Sequence, residues 1–153
     1  MLGPETLKNF MEKNGIRGEF IFLRASEAKT SVSAANSVGC SVSQIAKNVV
    51  LKGSKPYLVI LSGDRRVDLK RASMTAGEKL ALMESSEVLE HTGFPVGGVP
   101  PFGHLKTIKT WVDRSVTRFG VIYTSGGSDS VLLKIEVSEL LRFIKAPIVD
   151  ISI

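Results

Sequence analysis

Residues 47–61 read Lys-Asn-Val-Val-Leu-Lys-Gly-Ser-Lys-Pro-Tyr-Leu-Val-Ile-Leu, and this stretch sets the fold class. Residues 47–52 and 57–61 are extended segments rich in apolar and β-branched side chains, a composition typical of strands. The Gly-Ser-Lys-Pro sequence between them is a connection of the hairpin type. The stretch therefore predicts two neighbouring strands joined by a short turn.

Helical and extended patterns alternate on both sides of this hairpin. The elements predicted before it are a helix from Pro4 to about Gly15, a strand at 19–24, a helix from Thr30 or Ser31 to Gly39, and a helical turn at 43–46. The elements predicted after it are a helix from Asp68 to about Leu82, a helix at 86–91 closed by Gly93, strands at 107–112, 120–124 and 131–137, a helix at 139–144 capped by Ser138, and a tail at 147–153 that could add a last strand. This order predicts one α+β domain over residues 1–153 with a mixed sheet.

Composition narrows the class of protein. The 153 residues are 43% hydrophobic and 23% charged, as in ordinary globular proteins. No apolar run approaches the roughly 20 residues of a membrane helix, and the first residues lack the pattern of a signal peptide. The single cysteine, Cys40, excludes an internal disulfide and fits a reducing, cytoplasmic location. With two histidines, the chain has too few ligands for an obvious zinc site, so we expect no metal or cofactor.

The net charge of +5 favours anionic partners such as RNA, although it does not identify one by itself. The basic residues form three groups along the chain: Lys47, Lys52 and Lys55; Arg65, Arg66, Lys70 and Arg71; and Lys106, Lys109, Arg114 and Arg118.

Residues 97–104, Gly-Gly-Val-Pro-Pro-Phe-Gly-His, are the hardest stretch to explain by packing alone. The glycines allow close backbone approach to a ligand, and the two prolines stiffen the loop while removing two donors. The remaining amides could bind a phosphate, a carboxylate or a developing oxyanion. A Gly/Pro-rich connection between two elements is the alternative reading.

Three stretches together carry a family resemblance: Gln44-Ile-Ala-Lys-Asn-Val-Val50, Gly63-Asp-Arg-Arg-Val-Asp-Leu-Lys70 and Thr92-Gly-Phe-Pro-Val-Gly-Gly-Val-Pro-Pro-Phe-Gly103. Tyr123-Thr-Ser-Gly-Gly127 follows in the expected place. In this order the chain, over about residues 5–145, resembles the prolyl-tRNA synthetase-associated editing domains, the YbaK-type free-standing aminoacyl-tRNA deacylases. The resemblance implies a barrel-like mixed sheet with flanking helices. It also implies metal-free hydrolysis of wrongly charged tRNA, such as alanyl- or cysteinyl-tRNA(Pro), in trans.

The resemblance also assigns roles to residues. It implies catalytic roles for Lys47, Gly97, Gly98 and Pro101, and substrate-binding roles for Val99, Pro100, Phe102, Gly103, Ser125, Gly126, Gly127 and Asp129. The lysine would hold the 3′-terminal adenosine at a phosphate or stabilise charge on the ester carbonyl. The loop amides would position the adenosine or the carbonyl, and the 125–127 turn would admit only a small side chain. The implied partners are the aminoacylated 3′ end of tRNA and prolyl-tRNA synthetase.

Several neighbouring residues are expected to have other roles. We predict a surface or structural role for His104 and an incidental thiol at Cys40, and Arg66 and Lys70 are candidate phosphate contacts. Lys134 stands where cysteinyl-specific members carry an acidic residue, which argues against cysteinyl specificity. No convincing acid–base pair is present, so hydrolysis would depend on positioning and charge stabilisation, with a substrate hydroxyl or thiol assisting.

Two other classes of function stay open at this stage. One is a non-catalytic tRNA- or synthetase-associated module of the same fold. The other is an interaction protein that dimerises through its apolar tail at 147–153.

Overall fold

The computed structural model describes residues 1–153 and contains five helices and eight strands. The helices are α1 (Pro4–Lys13), α2 (Ser31–Val38), α3 (Leu69–Ala76), α4 (Ser85–Thr92) and α5 (Val137–Ile144). The strands are β1 (Glu19–Phe22), β2 (Ala46–Lys52), β3 (Pro56–Ser62), β4 (Ala81–Leu82), β5 (Lys109–Asp113), β6 (Val121–Ser128), β7 (Val131–Glu136) and β8 (Ile148–Val149). None of the helices combines the length and apolar character needed to cross a membrane.

The strands divide into two sheets. The larger has the order β4-β2-β3-β5-β8, with antiparallel pairing around β2 and parallel pairing of β3 with β5 and of β5 with β8. The smaller is an antiparallel sheet of order β1-β7-β6. A parallel bridge between Ile45 and Tyr123 joins the entry of β2 to β6. The predicted α+β fold with a mixed sheet is confirmed.

The predicted hairpin is the β2–β3 pair, and β3 is buried along nearly its whole length. Its side chains alternate between two cores, as the two-residue period of a strand requires. Leu58 and Ile60 join the larger core between the sheets and the helices, whereas Val59 and Leu61 join a second core with Trp111. A central strand buried on both faces explains why this segment reads as a continuous apolar run.

The helix predicted from Asp68 to about Leu82 is the largest error in the secondary structure. Asp68 caps α3 as expected, but the helix ends at Ala76, where Gly77 takes the left-handed conformation with φ of 73°. The chain then turns, and residues 81–82 pair with β2 as the short edge strand β4. Leu80, a candidate inward position of the predicted helix, reaches the second core from this turn instead.

Smaller differences occur at other element ends. Strand β5 begins two residues later than predicted and includes Asp113. Helix α5 begins at Val137, so Ser138 lies inside it and does not cap it; Glu136 occupies the cap position without a side-chain bond. The predicted turn at Ser125–Gly127 is part of β6, which continues to Ser128 past a register irregularity.

The apolar tail is used within the chain. Residues 148–149 add to the edge of β5, and residues 151–153 pair with 66–68 through three backbone hydrogen bonds of 2.7–2.9 Å. Ile151 is buried in the second core. The tail therefore holds the segment after β3 in place, while Ile148 and Ile153 keep 41% and 54% of their surface exposed.

Candidate active site

A cleft of about 320 Å³ lies where the two sheets meet. Its walls are the start of β2, the β6–β7 turn, the beginning of α2 and the loop that follows α4. The apolar part of the lining is formed by small and medium side chains: Ala28, Ala34, Ile45, Ala46, Val49, Val96, Val99, Val131 and Leu132. Five of the residues singled out from the sequence lie together here: Lys47, Gly97, Val99, Ser125 and Asp129.

Lys47 is half-buried in this wall, and its ammonium donates a hydrogen bond to the backbone carbonyl of Arg65. Burial lowers the pKa of Lys47 below its ordinary value; the Asp64 carboxylate opposes this shift and the nearby charge of Arg66 adds to it. An ammonium that donates one hydrogen bond to a carbonyl can still donate hydrogen bonds from its other N–H groups to an anionic ligand.

Arg65, whose carbonyl accepts the hydrogen bond from Lys47, is bonded through its side chain to the C-terminal tail. The Arg65 guanidinium donates to the hydroxyl (3.0 Å) and the carbonyl (3.1 Å) of Ser152. The Ser152 hydroxyl donates to the buried Asp113 carboxylate at 2.8 Å. Asp113 also accepts from the amide of Ile151 (3.0 Å) and from the amide (3.1 Å) and hydroxyl of Ser115. A chain of hydrogen bonds therefore connects the end of β5 to the acceptor of Lys47.

The opposite wall is formed by part of the loop at residues 97–104, which we call the glycine loop. The amide of Gly98 donates to Pro95 at 2.9 Å, so this donor is already used in a turn. The amides of Gly97 and Val99 have no acceptor within the chain. Gly98 packs against the backbone of Ser128, where an added Cβ would lie 3.0 Å from Cα. The loop therefore needs glycine at 98 for close packing and offers its free donors at 97 and 99.

Asn48 and Thr124 tie the walls together, and no role was assigned to either from the sequence. The Asn48 amide nitrogen donates to the Val99 carbonyl (2.9 Å) and to the Thr124 hydroxyl (2.7 Å), which in turn donates to the Ala46 carbonyl (3.0 Å). The Asn48 Oδ1 is buried and accepts no hydrogen bond within the chain. A lone amide side chain at the start of an apolar strand is the signal that points to this position.

We expect Asn48→Asp to loosen the glycine loop. A carboxylate cannot donate to the Val99 carbonyl, so the substitution replaces a hydrogen bond by repulsion and is expected to cost about 2 kcal/mol of unfolding free energy. Chemical denaturation measures this loss. Asn36→Asp is the matched control, since Asn36 is exposed on α2 and makes no side-chain bond. Equal stability of the two variants would contradict a role for Asn48 in holding the loop.

The second half of the glycine loop, from Pro100 onward, does not line this cleft. Pro100 is buried, and its carbonyl accepts a hydrogen bond from His104 at 2.7 Å. Pro101, Phe102 and Gly103 line a different cleft, together with His104. The structure thus separates the residues proposed for one wall into two groups, one on each side of the loop.

Gly126 and Gly127 are buried and do not line the cleft. Gly127 has φ of 100°, and an added Cβ would lie 2.9 Å from the backbone nitrogen of Pro4. We therefore expect Gly127→Ala to destabilise the fold by about 2 kcal/mol or more, measured by chemical denaturation. Gly120→Ala is the control, because no atom would lie within 4 Å of its Cβ and its φ is not positive. A neutral Gly127→Ala would argue against this packing role.

The other reactive side chains are outside the cleft. Burial lowers the pKa of His104, against the Pro100 hydrogen bond that raises it, and the ring lies in the second cleft. Burial raises the pKa of the Cys40 thiol. Lys134 stands in β7 with its ammonium 5.9 Å from the Tyr123 ring centre, outside the lining. No group of three or more histidine, cysteine or acidic side chains is placed to hold a metal ion.

The arrangement can bind a small ligand with an apolar end and an anionic or carbonyl end. Among the lining residues, Lys47 carries a positive charge, Gly97 and Val99 have amides without an acceptor in the chain, and residues of α2 and β7 form part of the apolar wall. No titratable pair in the lining is hydrogen-bonded as a nucleophile and base would be. The chemistry available is charge stabilisation and positioning.

Comparison with known proteins identifies the family and the fold of the chain. The family model of the aminoacyl-tRNA editing domain matches residues 25–143. The chain is 34% identical over 116 residues to the uncharacterized protein YwhH of Bacillus subtilis, covering 74% of each chain. It is 23% identical over 137 residues to EbsC of Enterococcus faecalis, a candidate Cys-tRNA(Pro)/Cys-tRNA(Cys) deacylase, covering 88% of this chain and 84% of that one. A solved structure of a candidate trans-editing enzyme for prolyl-tRNA synthetase superposes with a TM-score of 0.93 at 32% identity, covering 98% and 96%.

Proposed function

The chain belongs to the aminoacyl-tRNA editing domain family, and on that basis we propose that it hydrolyses the ester of mischarged aminoacyl-tRNA in trans. The substrates we propose carry a small amino acid, such as alanine or cysteine on tRNA(Pro). The proposal rests above all on one observation: Lys47 and the two loop residues whose amides have no acceptor within the chain, Gly97 and Val99, line one small, mostly apolar cleft.

In the reaction we propose, water adds to the carbonyl carbon of the ester, and the bond to the ribose oxygen then breaks. The products are the free amino acid and a tRNA with a free 3′-terminal hydroxyl. Negative charge develops on the carbonyl oxygen, where Lys47 or the amides of Gly97 and Val99 would stabilise it. Asn48, whose amide nitrogen donates to the Val99 carbonyl, would keep the loop amides in position.

In this proposal a hydroxyl or a thiol of the substrate relays the proton, accepting one from the attacking water and giving one to the departing ribose oxygen. An aminoacyl ester is already activated and carries a neighbouring 2′-hydroxyl, and the cleft contains no histidine. Asp129, which is exposed and lines the cleft, would meet the substrate ammonium. The site would then act by holding the ester in position for attack, without a metal.

Selectivity would come from size. In this proposal the wall formed by Ala34, Ile45 and Leu132 would accommodate a small side chain and would collide with a larger prolyl group. Rejection by collision discriminates more strongly than the loss of one favourable methylene contact. A separate contact with prolyl-tRNA synthetase would deliver the mischarged product.

The test is release of amino acid from tRNAs charged with alanine, serine, threonine, cysteine or proline. We expect release from at least one of the small amino acids well above the spontaneous rate and none from prolyl-tRNA. Spontaneous rates for every ester would favour the alternative, a non-catalytic tRNA- or synthetase-associated module. Efficient release of proline would contradict the size filter while leaving hydrolysis intact.

A further inference from the structure

A second cleft, of about 450 Å³, lies on the other side of the glycine loop from the first. Pro101–His104 form one wall, and the end of α5 forms another. Three phenylalanines, Phe10, Phe102 and Phe143, pack against one another beneath it with ring centres 5.5–6.0 Å apart. The two clefts therefore share a single stiff loop, and this second one rests on a packed aromatic floor.

The rim of the second cleft is basic. Lys106, Lys109 and Lys145 are exposed and line it, and none of the lining residues is acidic. None of the three ammonium groups lies within ion-pair distance of a carboxylate. Three uncompensated cations around one concave surface favour a polyanionic ligand.

Lys145, at this rim, has a backbone conformation that residues other than glycine rarely adopt. It is the only residue other than glycine with a positive φ, 53°, at the position after α5 where glycine is usual. A lysine there complements the partial negative charge of the helix end, but glycine would meet the backbone requirement without strain. The side chain is thus separable from the fold, which makes it a clean site for substitution.

Several arginines outside this rim are bonded to other residues of the chain. Arg65 is bonded to Ser152, Arg114 pairs with Asp150 at 3.2 Å, and Arg118 pairs with Asp64 at 3.0 Å. These three charges are partly compensated and attract a polyanion less than the three lysines of the rim do, whereas Arg66 and Lys70 are exposed without an ion pair.

We propose that the lysine-rimmed second cleft binds the sugar–phosphate backbone of the tRNA acceptor arm while the aminoacylated 3′ end occupies the first cleft. This rests on the proposed function: if the 3′ end of a tRNA is bound in the first cleft, the rest of the acceptor arm must cross the protein surface next to that cleft. The charges would act through phosphates, so binding here is independent of sequence and sensitive to salt.

The test compares two triple variants with the same change in net charge. The first is Lys106→Gln, Lys109→Gln and Lys145→Gly; the control is Lys13→Gln, Lys55→Gln and Lys79→Gln, three exposed lysines outside both clefts without carboxylate partners. Binding of uncharged tRNA(Pro) is measured across a range of salt concentrations. We expect the first variant to lose about tenfold or more in affinity and roughly 2–3 in the slope of log K against log salt, with the control close to wild type.

A second measurement separates this proposal from the proposed function. The ester of a small amino acid is presented on full-length tRNA and on a trinucleotide with the sequence of the tRNA 3′ end. The first variant is expected to raise KM for the tRNA ester and to leave hydrolysis of the trinucleotide ester unchanged. If the wild type hydrolyses neither ester but the first variant still binds tRNA more weakly than the control variant, the editing activity is refuted and the RNA-binding surface is supported. Equal tRNA affinity of the two variants would overturn the surface, as expected if this cleft serves a protein partner.

Discussion

Lys47→Ala is expected to slow hydrolysis of the mischarged ester by about 10²- to 10³-fold, the usual effect of removing one donor that stabilises a developing oxyanion. The reason lies in its placement: the ammonium is partly desolvated in the cleft wall and anchored on the Arg65 carbonyl. Single-turnover release of the amino acid at saturating enzyme measures the chemical step without the contribution of tRNA binding.

Lys52→Ala is the matched control for this experiment. Lys52 lies on the same strand, is about half-exposed and pairs with Glu87 at 2.8 Å outside the cleft, so its loss is expected to leave the rate unchanged. A second comparison, Lys47→Arg, keeps the charge but replaces the compact ammonium by a planar group, and we expect only partial recovery. A Lys47→Ala protein as fast as wild type would refute the site assignment.

Asp113→Ala is expected to destabilise the protein by about 3–5 kcal/mol, because it leaves several buried donors without an acceptor. The carboxylate is 1% exposed and accepts from the amides of Ser115 and Ile151 and from the hydroxyl of Ser152. Thermal unfolding should show a loss of roughly 10 °C. Asp150→Ala is the control in the same tail, since its pair with Arg114 is exposed and contributes little. A loss no larger than that of the control would contradict the network.

The same carboxylate predicts how stability changes with pH. Burial alone would raise the pKa of Asp113, but the hydrogen bonds from Ser115, Ile151 and Ser152 hold it below its ordinary value. A lowered pKa in the folded state gives stability that is complete above the unfolded pKa near 3.9 and disappears as the pH falls through the folded value. The difference in unfolding free energy between wild type and Asp113→Asn should therefore narrow below about pH 4. Arg142 and the Arg17 amide hold the pKa of Glu139 at about 2. Because both proteins contain Glu139, its contribution to the pH dependence cancels in the difference between their unfolding free energies.

Because Ser152 also holds Arg65, the two largest predictions are connected. Loss of Asp113 frees Ser152, which removes a support of the carbonyl that anchors Lys47. We therefore expect the Asp113→Ala protein that remains folded to hydrolyse ester more slowly than wild type, although Asp113 does not line the cleft.

The fold could largely be predicted because its signals are local. The β2–β3 hairpin, the capping box of Thr30 and Ser33, and the glycines that close helices all act over a few residues, where sequence order and spatial order agree. The prediction failed over residues 77–82, where the helical period continues in the sequence. There, Leu80 gains more by joining the second core beside β2 than by extending α3 past a glycine.

The sequence alone determined most of the elements, the mixed sheet and the family, since periodicity, caps and motif order are properties of the linear chain. Only the tertiary structure decided which motif residues share a cleft. The glycine loop reads as one continuous wall, yet folding places Gly97 and Val99 beside Lys47 and turns Pro101–Gly103 to the other side. The physical reason is that a stiff loop has two faces, and contacts far along the chain decide which face each residue lines; here they are the side chain of Asn48 and the backbone of Ser128.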